Sequence, residues 1–276
     1  MPENKAVFNR PARLAGGLND QLGIYFAYRS NMAAIKEAIP YPLDVASPIV
    51  TGYIIDIRKP GFAKPFHEAM LQVTASYKGK IGTLPIALAL SGPGAEMATY
   101  GGRELSNLPK KICEREDCVK VVKEGNVVRG TVERHGTVLL DVSMELGDYN
   151  NPMAAGIWHF PESGKSVEQN SFSVQTPLEL DEETGLLMNK HAYYHYMELM
   201  YHHYMWQPGK VTVRVQSSED DPWGELPVFE NIGGGYSNND MFGNPNGGPP
   251  VLMAVEDAKI ALPKLMTTRY DAIVLE

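Results

Sequence analysis

Between Val119 and Leu146 the chain repeats one unit. A run rich in β-branched residues ends in a turn-former, as in Val119 to Lys123, the turn Glu124-Gly125-Asn126, Val127 to His135, a turn at Gly136, then Val138 to Leu146. Strand-length runs spaced about ten residues apart and punctuated by Gly and Asn are the pattern of an antiparallel meander. The rhythm extends upstream. Gly23 to Arg29 is an aromatic-rich strand, and Ile49 to Arg58 is β-branched. Phe66 to Tyr77 turns at Lys78-Gly79-Lys80, so that Thr83 to Leu90 returns as a hairpin. Helix is confined to short pieces. Ser30 or Asn31 offers an N-cap to Met32 through Ile39, and Pro40 stops the run. The expected class is α+β but mainly β, with residues 1–276 forming one domain. A loose arm is expected over residues 1 to 20, a loop over Asn150 to Phe160 and a flexible loop over Asn244 to Pro250.

Composition removes several function classes. A net charge of −8 argues against nucleic acid or an anionic membrane as partner, because both reward a basic face. The longest clean apolar run, Leu84 to Leu90, carries Pro85 and is far too short to span a bilayer. Met1 to Asp20 lacks the apolar stretch of a signal peptide, and a cytoplasmic location is expected. The two cysteines, Cys113 and Cys118, have neither the spacing nor the company of a zinc or redox pair, so reduced thiols are expected.

Three stretches invite chemistry. Gly101-Gly102-Arg103-Glu104-Leu105-Ser106-Asn107-Leu108-Pro109-Lys110-Lys111 ends in adjacent lysines, ordinarily a solvated pair. Pro109 fixes the backbone just ahead of Lys110, and a lysine so held against apolar neighbours becomes a nucleophile if it is desolvated. Residues 191 to 206 hold four histidines among tyrosines and methionines. A helix would stack His191 on His195, but aromatic β structure fits equally, and no carboxylate completes a zinc site. Gly233-Gly234-Gly235 is followed by neither lysine nor helix and is not a phosphate loop. Neither cofactor nor metal is expected.

Gly102-Arg103-Glu104-Leu105-Ser106-x-x-Pro109-Lys110-Lys111 resembles the active-site signature of the acetoacetate decarboxylase family. Tyr28-Arg29-Ser30 ahead of a helix ending at Ile39-Pro40 is similar to that family's arginine region. Glu68, Ser76-Tyr77 and Gly79 resemble its glutamate-bearing strand. Asp221-Pro222-x-x-x-Leu226-Pro227-Val228 and Leu262-Pro263-Lys264 with Tyr270-Asp271 resemble its C-terminal segments. The resemblance implies a strongly curved antiparallel β-barrel, an acetoacetate decarboxylase-like fold with a few short helices, and a homo-oligomer. It makes Lys110 the Schiff-base lysine and Lys111 the adjacent cation that modulates its ionisation. Arg29 and Glu68 become the groups that hold the substrate carboxylate and exchange protons. Where the family carries a second glutamate this chain has Tyr53, which implies a substrate-binding role there and a departure from acetoacetate.

The implied reaction is decarboxylation of a β-keto acid through a protonated imine, the electron sink for the developing carbanion. Free lysine, with a pKa near ~10.4, is almost wholly protonated at neutral pH, so the amine has to be desolvated. In an extended segment Lys110 and Lys111 point to opposite faces, so burial rather than repulsion is expected to dominate. The same imine serves one alternative, aldol addition with dehydration of a pyruvate-like α-keto acid; the other alternative is a barrel that binds a small molecule without turnover.

Overall fold

The computed structural model describes residues 17–104, 106–159, 161–243 and 251–271. Most of the expected N-terminal arm and all of the Asn244 to Pro250 loop lie outside them. The strands are β1 (Leu18–Arg29), β2 (Asp44–Pro60), β3 (Phe66–Tyr77), β4 (Lys80–Ser91), β5 (Lys110–Ile112), β6 (Val119–Glu124), β7 (Val127–Arg134) and β8 (Thr137–Leu146). They continue as β9 (Lys165–Glu168), β10 (Ser171–Gln175), β11 (Glu179–Leu180), β12 (Leu187–Met188), β13 (Tyr193–Met197), β14 (Leu199–Val215), β15 (Glu230–Gly243) and β16 (Val251–Leu252). Helices α1 (Met32–Ala38), α2 (Ala95–Thr99), α3 (Ala154–Ile157) and α4 (Val255–Arg269) complete the described elements. The protein is mainly β, as the turn rhythm predicts.

One 14-stranded sheet runs β16-β13-β10-β4-β3-β2-β1-β15-β14-β8-β7-β6, with β5 beside β4 and β9 beside β14. Its path does not close into a ring. It curls instead, until β6 lies against β2 and β3. The central strands are therefore buried on both faces, which is why β1 and β2 read as near-continuous apolar runs. Ile24, Phe26 and Ile54 face a core completed by Val128, Leu140 and Val142 of the meander. Tyr25, Ala27, Tyr53 and Ile55 face the other way, under α2, α3 and Trp158. That second face carries Tyr53 and, on β3 beside it, Glu68.

Local signals are met in detail. The Asn31 side chain accepts from the Ala33 N–H and caps α1. β3 and β4 form the expected hairpin, with Lys78 and Gly79 at positive φ in the turn. Residues 191 to 206 are β structure, in β13 and β14. β14 runs on unbroken through Pro208 and Gly209, a pair that ordinarily interrupts a strand. Pro208 faces Gly235 in the ladder, and the triple glycine supplies the room: a Cβ on Gly235 would lie 2.3 Å from the Trp206 ring. Cys113 and Cys118 are buried and unbridged. Among the described residues no helix is long and apolar enough to cross a membrane.

Candidate active site

Lys110 opens β5, and the preceding residues aim it. The chain passes through a π-helical turn at Tyr100–Glu104, and the Lys110 N–H then bonds the Leu108 carbonyl at 2.8 Å across Pro109. That is a tight three-residue turn whose central φ proline supplies. β5 then pairs in parallel with β4, Lys110 beside Leu88. Gly102 leaves the side chain its space, since a Cβ there would lie 2.5 Å from Lys110 Cε. The glycine and the proline of the motif thus act on one lysine.

Lys110 is 4% exposed, and its ammonium donates to Glu68 Oε2 at 2.6 Å. The other carboxylate oxygen, Oε1, accepts from the Tyr53 hydroxyl at 2.5 Å. Glu68 itself is 1% exposed, and Phe66 presents its ring 5.9 Å from Nζ. β3 and β2 set this up by register: Tyr53 pairs with Met70 and Ile55 with Glu68, placing Tyr53 and Glu68 side by side on one face. Burial, then the Glu68 charge, push the Tyr53 phenol well above its ordinary value, so it stays a hydrogen-bond donor. The buried partner of Glu68 is thus Lys110.

Arg29 is not brought to this cluster. It ends β1, is half exposed, and donates through Nε to Glu230 Oε2 at 2.9 Å. It stands opposite Ile49 on β2, two alternations along the face from Tyr53 and out at its rim. A direct hold on a group at Lys110 does not follow from that position. Beside Ile49, Arg29's neighbour on β2, lies a cavity of about 350 Å³ whose walls include Thr51, Thr74, Thr83, Ile157 and Asn170, and which none of Lys110, Glu68 and Tyr53 lines.

Lys111 points away from Lys110, as alternation predicts. Its ammonium donates to the Asp220 carbonyl and pairs with Asp221 at 3.5 Å and Asp271 at 3.3 Å. Arg134 binds the same two carboxylates, to Asp221 at 2.8 Å and to Asp271. Lys111 is therefore an anchor of its strand, and its charge is matched on the far face. Arg103 adds a second tie, donating to the carbonyls of Lys110 at 3.3 Å and Arg269 at 3.4 Å. The sequence signal for these partners was the Asp221-Pro222 and Tyr270-Asp271 segments, whose role spacing alone did not reveal.

Beyond Tyr53 the face becomes aromatic. Tyr25 lies 5.7 Å from the Tyr53 ring and 6.0 Å from Trp206, and Trp158 lies 5.8 Å from Trp206. Tyr201 of β14 is buried as well, and burial, then the Glu68 charge, raise its hydroxyl. The four histidines of residues 191 to 206 do not converge. His191 meets Glu179, His195 meets Gln175, His202 meets Ser166 and His203 meets Ser237.

Residues 2–245 match the family model described as acetoacetate decarboxylase (ADC). A CLA biosynthesis isomerase of Lactiplantibacillus plantarum is 35% identical over 263 residues, covering 93% of this chain and 90% of its own. An acetoacetate decarboxylase of Legionella pneumophila superimposes with a TM-score of 0.66 at 14% identity, over 91% of this chain and 94% of its own. The enduracididine biosynthesis enzyme MppR, solved with the condensation product of pyruvate and imidazole 4-carboxaldehyde, gives a TM-score of 0.55 at 12% identity, over 84% and 87%. At those identities the two structures establish likeness of fold.

Proposed function

The chain belongs to the acetoacetate decarboxylase family, and from that premise we propose that it is a Schiff-base enzyme that shifts a proton, and with it a double bond, in an unsaturated ketone. The observation that carries this reading is the sealed contact of Lys110, Glu68 and Tyr53, with separations of 2.6 and 2.5 Å. Passing one proton from the Lys110 ammonium to Glu68 leaves a neutral amine and a neutral acid, so the nucleophile is made without creating a buried charge. The amine adds to the ketone, and loss of water gives the iminium. Glu68, ionised again, takes a proton from the neighbouring carbon, and the electron pair of that C–H bond moves into the imine. Returning the proton to a carbon further along moves the double bond, and water then releases the ketone. No atom is gained or lost. Tyr53 holds Glu68 throughout and donates to it whenever it is ionised.

Decarboxylation of a β-keto acid is the second reading, favoured by the family and by Lys110 itself. It asks for a cation beside the substrate carboxylate, and Arg29 sits at the rim on Glu230. A carboxylate placed at Lys110 would also face Glu68. The 35% identity to a protein named as an isomerase adds weight to the proton shift. Aldol addition with dehydration uses the same enamine, and pyruvate is its probe.

The test is borohydride trapping with mass mapping, run alongside proton NMR in deuterium oxide. A β,γ-unsaturated ketone is expected to give an adduct on Lys110, deuterium at the carbons next to the carbonyl and beyond it, and the conjugated isomer. Carbon dioxide from acetoacetate without isomer formation would establish the second reading instead. No adduct from ketones, acetoacetate or pyruvate would remove the Schiff base altogether. The same reading expects a homo-oligomer. The exposed side chains of Leu180, Leu186 and Leu187 around the β11–β12 hairpin are where copies would meet, and light scattering measures it.

A further inference from the structure

Arg269 closes α4 and is only 2% exposed. Its guanidinium donates to Thr176 Oγ1 at 3.0 Å and to the Val174 carbonyl at 2.9 Å, both neutral acceptors. Burial lowers its pKa to about 10, so it remains a cation at neutral pH. Glu104 is the acid whose charge reaches it, but that carboxylate is engaged by Arg103 Nε at 2.7 Å and by the Tyr270 hydroxyl at 3.3 Å. The C-terminal end of α4 offsets about half a charge at most, and Arg103 already donates to the Arg269 carbonyl there at 3.4 Å. A buried positive charge is thus left without a partner of its own among the described residues, which is costly inside a protein.

Beside it lies a cavity of about 30 Å³, between α4, β4, β10 and the turn ahead of Lys110. Its walls include Leu84, Asn107, Pro109, Ser173, Thr268 and Arg269, and none of the described residues lining it is acidic. Ser173 is 2% exposed, and its hydroxyl has no hydrogen-bond partner among the described residues. A buried hydroxyl in that condition marks a place where a water or an ion completes the structure. One water occupies about 10–15 Å³ of such space, so the cavity takes one or two particles of that size and no tetrahedral oxyanion or organic acid. A water would satisfy Ser173 and leave the guanidinium charge unmatched. A halide meets both needs at once.

We propose that this cavity is an anion site for a single chloride-sized ion, held by the Arg269 guanidinium and the Ser173 hydroxyl. It stands behind the turn that aims Lys110. Pro109 is one of its walls, and the Thr176 N–H bonds Asn107 Oδ1 across it. Arg103 joins the carbonyls of Arg269 and Lys110. A bound halide therefore fastens α4 and β10 to that turn, whatever reaction Lys110 performs.

The test titrates the full chain with sodium chloride or bromide against sodium gluconate at constant ionic strength and follows the Tm. Both halides should raise it along a saturating curve, as for any ligand of the folded state. Ser173→Ala should shift the half-saturating concentration upward about tenfold, the scale of one hydrogen bond to a charged group. Arg269→Gln should abolish the response; if that variant does not fold, Ser173→Ala decides alone. Crystals grown in bromide and measured at the bromine edge should show one anomalous peak in contact with Arg269 and Ser173. The proposal is overturned if halide and gluconate act alike, if Ser173→Ala responds at the wild-type concentration, or if the cavity holds no bromine, which would make its occupant a water.

Discussion

Tyr53 marks where this chain leaves the pattern that the rest of its motif follows, and its hydroxyl donates to the Glu68 oxygen that Lys110 does not bind. Tyr53→Phe should leave the Lys110 adduct trappable and lower turnover about a hundredfold, as expected when an acid–base pair loses its hydrogen-bond partner. A variant that stops trapping would instead make Tyr53 part of the nucleophile. His203 carries a pH prediction. Burial lowers its pKa to about 4, while an unfolded histidine titrates near ~6.5. Between those values the unfolded chain binds a proton that the folded chain does not, so stability falls as pH falls. The stability is fully present above about 6.5, and about 3 kcal/mol of it is lost by pH 4. Urea unfolding of His203→Gln at both pH values should show a correspondingly smaller loss. Lys110 and Glu68 were legible as residues, the first from Pro109 and the motif around it, the second from the resemblance of its strand to the family's glutamate-bearing one. Their pairing was not, because it depends on register across β3, β4 and β5. Arg29 misled for the same reason: alternation gives its face, but the length of β1 carries it to the rim.

β5 has only three residues, too few to hold a reactive side chain by ladder bonds alone. Its position comes from Lys111 on the far face, with Asp221 and Asp271, and from Arg103 across the carbonyls. Lys111→Met leaves Asp221, 2% exposed, with Arg134 as its remaining cation, and should destabilise the fold by about 2 kcal/mol while the Lys110 adduct still forms. Chemical denaturation and trapping of the same sample check both halves. Lost trapping in a stably folded variant would restore Lys111 to a direct role in the chemistry. Among the elements, hairpins and meander were readable because turn chemistry is local: Gly79, Gly125 and Gly136 all adopt positive φ. β14 was not, because Pro208 and Gly209 are tolerated only where Gly234 and Gly235 supply a partner strand without side chains, some twenty-six residues away.

At the scale of the molecule, the described strands other than the β11–β12 pair belong to one sheet, and both faces of its centre are buried. Thermal or urea unfolding should therefore show one transition, with far-ultraviolet circular dichroism and tryptophan fluorescence coinciding. Two separated steps would divide the chain into domains. The order of that sheet also bears on how the protein is made. β1 lies between β2 and β15, so Arg29 waits for Glu230 to be synthesised before its second edge is paired. At roughly 5–20 residues per second that interval is on the order of ten to forty seconds. During it the ribosome carries a nascent sheet that already holds Tyr53, Glu68 and Lys110 but has one long apolar strand open at its side. A transcript cut short before β15 would release that edge for good, and its product is a substrate for chaperones and proteases rather than a smaller enzyme.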